Sequence, residues 1–167
     1  MADPLQPLWT VVRLLHIASA IVLVGGGTLW AIVVQPTLAQ MGPTMPRGAM
    51  PTLGGKVLKV LPHAGLATLV TGVLVLWHLA PYANATYHMI MGTALVVMLA
   101  GLSLTFGIVV PTFKKLSAAM MASQGPPPPE APAMMARIKK ASMANLALAW
   151  LIVVLMVVGT AQRVGIA

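Results

Sequence analysis

Four histidines, His16, His63, His78 and His88, are the residues of this 167-residue chain best suited to chemistry. Each lies in or beside a long apolar run, where ionisable side chains are rare and usually functional. A neutral imidazole can offer one ring nitrogen to iron or copper while the other makes the hydrogen bond that sets its tautomer. The rest of the composition narrows the chemistry. With no cysteine, thiolate zinc sites, iron–sulfur clusters, disulfides and thioether-attached haem are excluded. The two acids, Asp3 and Glu130, are too few for a paired-carboxylate hydrolase or a carboxylate-rich cation site. No Ser, His and acid occur together as a hydrolytic triad needs. The expected role is cofactor binding or transport, not catalysis.

The elements that must position these rings are membrane helices. Apolar residues make up 59% of the chain and charged ones only 7%, too little charge to cover a water-facing surface. Mean hydropathy is +0.92. Four apolar runs, at about residues 8–34, 56–79, 88–110 and 141–161, reach the roughly 20 helical residues that a hydrocarbon core requires. The expected fold is all-α, an integral membrane four-helix bundle forming a single domain over residues 1–167. The opening MADPLQP has no basic run and the first apolar segment is longer than a signal-peptide core, so it is expected to persist as a helix. The short link APYANATY makes the second and third helices antiparallel neighbours. The connection 111–140 reads as two polar helix extensions around a stiff polyproline spacer at 126–129.

Basic residues set the orientation. Arg47, Lys56, Lys59, Lys114, Lys115, Arg137, Lys139 and Lys140 fall on one side of the bundle, against Arg13 and Arg163 on the other. The positive-inside rule makes the first and third connections cytoplasmic, so the protein is expected to be N-out and C-out. In a bacterial inner membrane both termini are then periplasmic. The net charge of +8 flanks apolar runs instead of forming a patch with interleaved aromatics, so the lipid bilayer, not nucleic acid, is the partner it implies.

Depth selects among the histidines. At 1.5 Å per helical residue, His16 lies about 10 Å, His78 about 13 Å and His88 about 16 Å outward of the midplane, and His63 about 9 Å inward. A b-type haem held by two imidazoles needs both at nearly equal depth on facing helices. His16 with His78, or His16 with His88, meets that condition, and His63 has no inward partner. Arg13, one turn outward of His16, and Arg163 suit the propionates, with Tyr82 and Tyr87 as hydroxyl donors at the same level. The plainer account makes the arginines snorkelling side chains and the tyrosines an interfacial belt. The expectation is one bis-His haem b near the periplasmic face, in a cytochrome b-like electron-transfer or respiratory-complex subunit. Its partner is a redox membrane assembly or a second copy of the chain. The alternative is copper handling, in which the outer histidines capture the ion and methionines such as Met41, Met45, Met50, Met89 and Met91 relay it. A third reading is a structural subunit whose histidines only hydrogen-bond.

Residues 14–38, LLHIASAIVLVGGGTLWAIVVQPTL, resemble the first helix of the copper-resistance protein D (CopD) family in their His, the small-residue pair nine and ten positions later and the Pro near the end. LATLVTGVLVL and RIKKASMANLALAWLIVVL are similar in outline to that family's later helices. The first helix also resembles that of the haem-binding HemJ-type protoporphyrinogen oxidases, which carries His16 and Gly26 across. Leu23 stands where those families commonly have tryptophan, the oxidases' Tyr-Leu-Pro-Arg stretch is absent, and the third span lacks their lysine. The resemblance implies a haem-holding or metal-handling membrane bundle and argues against porphyrinogen oxidation.

Overall fold

A computed structural model describes residues 5–41, 49–123 and 128–164. Arg47, Met45 and the first two prolines of the polyproline run lie outside them, as do the side chains of Met50 and Arg163. The described residues form helices and no strand. Helix α1 spans Gln6–Leu29 with a proline in its first turn, where the missing N–H has no helical partner to lose. It passes through a π-helical turn, Trp30–Val34, into α2, Gln35–Met41. Helix α3 spans Ala49–Leu79 and ends in the 3₁₀ turn Ala80–Tyr82. Helix α4, Ala85–Leu104, leads through a second π turn, Thr105–Val109, into α5, Val110–Ala122, and α6 spans Ala131–Val164.

Four helical stretches are long and apolar enough to cross a membrane: Gln6–Leu38, Pro51–Tyr82, Ala85–Ala122 and Ala131–Gln162. Each runs beyond the segment that hydropathy marks out, because helix continues into the flanking polar residues. Large apolar side chains point outward along the bundle, Leu14, Ile21, Val96 and Val157 each being more than 60% exposed. In water such a surface would aggregate; against lipid tails it is the expected exterior. The protein is an integral membrane four-helix bundle.

The closest packing joins α1 to α3 and α4 to α6. The short α3–α4 link holds the ends of those helices together, yet their flanks meet less extensively, since a loop constrains only the turns beside it. Two antiparallel hairpins therefore make up the bundle, and α1 also touches α6 as α3 touches α4.

The hairpins repeat one plan. In each π turn a residue donates to the carbonyl five positions back, Gln35 to Trp30 and Val110 to Thr105. A proline follows at once, Pro36 or Pro111, whose ring lacks an N–H and crowds the carbonyl one turn back; the wider turn accommodates it. The turns begin at Trp30 and Thr105, a spacing of 75 residues. The same spacing pairs Val22 with Val97, Gly26 with Gly101, Leu29 with Leu104, Val34 with Val109, Pro36 with Pro111 and Thr37 with Thr112. Several paired positions fall in one neighbourhood. Leu38 and Phe113 share the core at the basic end, and Leu23 with Met98, Gly27 with Leu102 and Trp30 with Thr105 line one cavity between the hairpins.

Candidate functional site at the hairpin interface

At the end carrying the chain termini, a second cavity of about 390 Å³ opens between the hairpins, lined from all four spans. His16 of α1 is buried on its wall, 8% exposed. Its Nδ1 lies 3.1 Å from the Thr68 carbonyl and 3.2 Å from Thr71 Oγ1, both on α3. The carbonyl only accepts, and the Thr71 hydroxyl donates its proton to the Ala67 carbonyl at 2.6 Å. Two acceptors facing Nδ1 assign the proton to Nδ1 and the lone pair to Nε2. That is the tautomer of a metal-ligating histidine, whose second nitrogen is typically tied to a carbonyl or carboxylate.

The ring rests on Gly72, where a Cβ would lie 2.9 Å from His16 Cε1. Ser19 braces the same turn, donating to the His16 carbonyl at 3.0 Å and lying 3.0 Å from the Thr68 hydroxyl. Thr68, Thr71 and Gly72 fall at i, i+3 and i+4, so one face of α3 carries the whole cradle. Arg13 lines the cavity one turn nearer the termini, and Tyr87, Met91, Met98 and Met156 contribute from the other hairpin.

Of the residues selected from sequence, His16, Arg13 and Tyr87 come together at this cavity. Tyr87 is buried in the first turn of α4, whose N-cap Asn84 accepts from the Tyr87 N–H at 2.8 Å. His78 does not line the cavity: its ring stacks on Trp9, with centroids 4.1 Å apart and planes 13° from parallel. His88 is exposed and meets Tyr87 edge-on at 6.1 Å. Tyr82 is 73% exposed. His63 is exposed and its Nδ1 pairs with the Lys59 carbonyl of its own helix. Arg163 lies at the same end of the bundle, its side chain outside those described. Among the described residues no group of three or more His, Asp or Glu side chains is arranged to hold a metal ion.

Thr68, Thr71 and Gly72 are cradle residues that hydropathy and depth did not single out, and Met91, named from sequence only as a copper relay, lines the same cavity. The threonine-glycine face was readable as a small polar stripe on α3, and Met91 as the position 75 residues beyond His16. Comparison with protein-family models, curated proteins and solved structures gave no match.

Proposed function

We propose that the protein is a haem b-binding membrane protein, in which His16 Nε2 would hold the iron in the cavity between the hairpins, acting as an electron-transfer or respiratory-complex subunit. The observation that carries this reading is the His16 cradle, in which the Thr68 carbonyl and Thr71 hydroxyl face Nδ1 and so leave Nε2 unprotonated, on a residue that lines the cavity. Bound iron there would exchange single electrons between its ferric and ferrous states. The chain's residues supply the rest: an apolar chamber whose volume falls within the roughly 300–1,000 Å³ of small-molecule sites, and Arg13 at the level where a propionate would leave the bilayer. The basic residues of the first and third connections favour a bacterial inner membrane with periplasmic termini, which puts this site on the periplasmic side.

Copper handling is the second reading, supported by the thioethers of Met91, Met98 and Met156 on the walls of the same cavity. A bare ion would fill little of that volume, which favours the flat macrocycle. The likeness of residues 14–38 to the CopD and HemJ-type first helices accords with either. Purification in detergent after expression with ample haem separates them: a Soret band, lost in His16→Ala, is expected. A colourless protein carrying stoichiometric copper would overturn the haem reading, and one with neither group would leave a structural subunit.

A further inference from the structure

We propose that Met91 is the residue facing His16 across this site, its thioether supplying the second axial ligand; the inference rests on the haem reading above. Three independent placements point to it. His16 precedes Trp30, and Met91 precedes Thr105, by the same 14 residues, so each sits about 21 Å of helix from its own π turn. The two therefore lie at equal depth, on the first arms of the two hairpins.

Both are seated in the same way. Gly72 of α3 leaves room for the His16 ring, and Gly159 of α6 leaves room for Met91, whose Cε would collide with a Cβ at that position. Each first-arm residue thus packs on a glycine of its own hairpin's second arm, and both line the one cavity between the hairpins, His16 from the first and Met91 from the second.

The other donors fit less well. Met98 and Met156 border both this cavity and the neighbouring one toward the basic end, so they stand at the partition between the two, whereas His16 and Met91 line only the terminal one. His78 and His88 line neither. An imidazole and a thioether on one iron raise its reduction potential relative to two imidazoles, so this ligand pair would also set the direction of electron flow.

The test is spectroscopic and uses the full-length protein loaded with haem. Wild type is expected to be low-spin, with the weak near-red absorption that marks thioether sulfur on ferric iron. Met91→Leu, which conserves volume, is expected to lose that band, bind added cyanide readily and show a lower midpoint potential. Met91→His is expected to restore a low-spin, bis-imidazole spectrum, even if the leucine variant holds haem poorly. His78→Ala and His88→Ala, at rings that do not line the cavity, are expected to keep the wild-type spectrum. An unchanged low-spin spectrum in Met91→Leu, no low-spin haem in Met91→His, or loss of the near-red band in either histidine variant overturns the proposal while the haem reading stands. Wild type without haem overturns both.

Discussion

His16 is held by what surrounds it more than by its own helix. The Thr68 carbonyl and Thr71 hydroxyl fix which nitrogen is protonated, and Gly72 fixes where the ring can lie. Gly72→Val is expected to displace the ring and reduce haem occupancy nearly as far as His16→Ala does. Gly25→Ala, where an added Cβ meets nothing within 4 Å, is expected to leave occupancy unchanged. Equal occupancy in both glycine variants, read from the Soret absorbance per protein, would show that the cradle does not position the ligand. Thr71→Val removes one of two acceptors at Nδ1 and is expected to cost about 0.6 kcal/mol, a usual size for a hydrogen bond between membrane helices. Unfolding in mixed detergent measures it. That His16 and Arg13 fall on one wall was legible in the sequence, because residues three apart on a helix share a face. The cradle was not, because threonine and glycine are ordinary in any membrane helix.

At the scale of elements, the histidines absent from the cavity have structural work of their own. The Trp9–His78 stack joins the first turns of α1 to the last of α3. His78→Ala is expected to lower stability by about 0.5–1.5 kcal/mol, as the loss of a ring pair does, and a melting temperature equal to that of wild type would refute that role. Asn84 caps the first turn of α4, in which Tyr87 is buried and His88 exposed. Asn84→Ala is expected to cost about 1 kcal/mol, the usual worth of an N-cap, and thermal unfolding in detergent checks it. Hydropathy placed the spans but not the full helix lengths; the polar extensions read from the connection 111–140 are helical, α5 running through Lys114 and Lys115 and α6 through Arg137.

For the whole molecule, the relation between the hairpins matters most. The site has walls from both, so neither half contains it. A chain cut within the connection between α5 and α6 and co-expressed as two pieces is expected to reassemble and hold haem at wild-type position in the spectrum, because packing and not that connection aligns the helices. Failure of the cut protein to bind haem while remaining in the membrane would show that the connection organises the site. Orientation can be read directly, since the chain has no native cysteine to interfere. Ala83→Cys, in the short link, is expected to react with an impermeant maleimide on intact cells, and Ser123→Cys only after permeabilisation; the reverse pattern would invert the topology.

Helix number, membrane class and the placing of His16 and Arg13 on one helix face followed from the chain alone, because hydropathy and helical periodicity accumulate residue by residue along a straight helix. Whether His78 or His88 met His16 did not, since rotation of each helix about its axis is set by what it packs against, as Trp9 stacks on His78 and Gly159 seats Met91. Only the packed hairpins decided which side chains share a chamber.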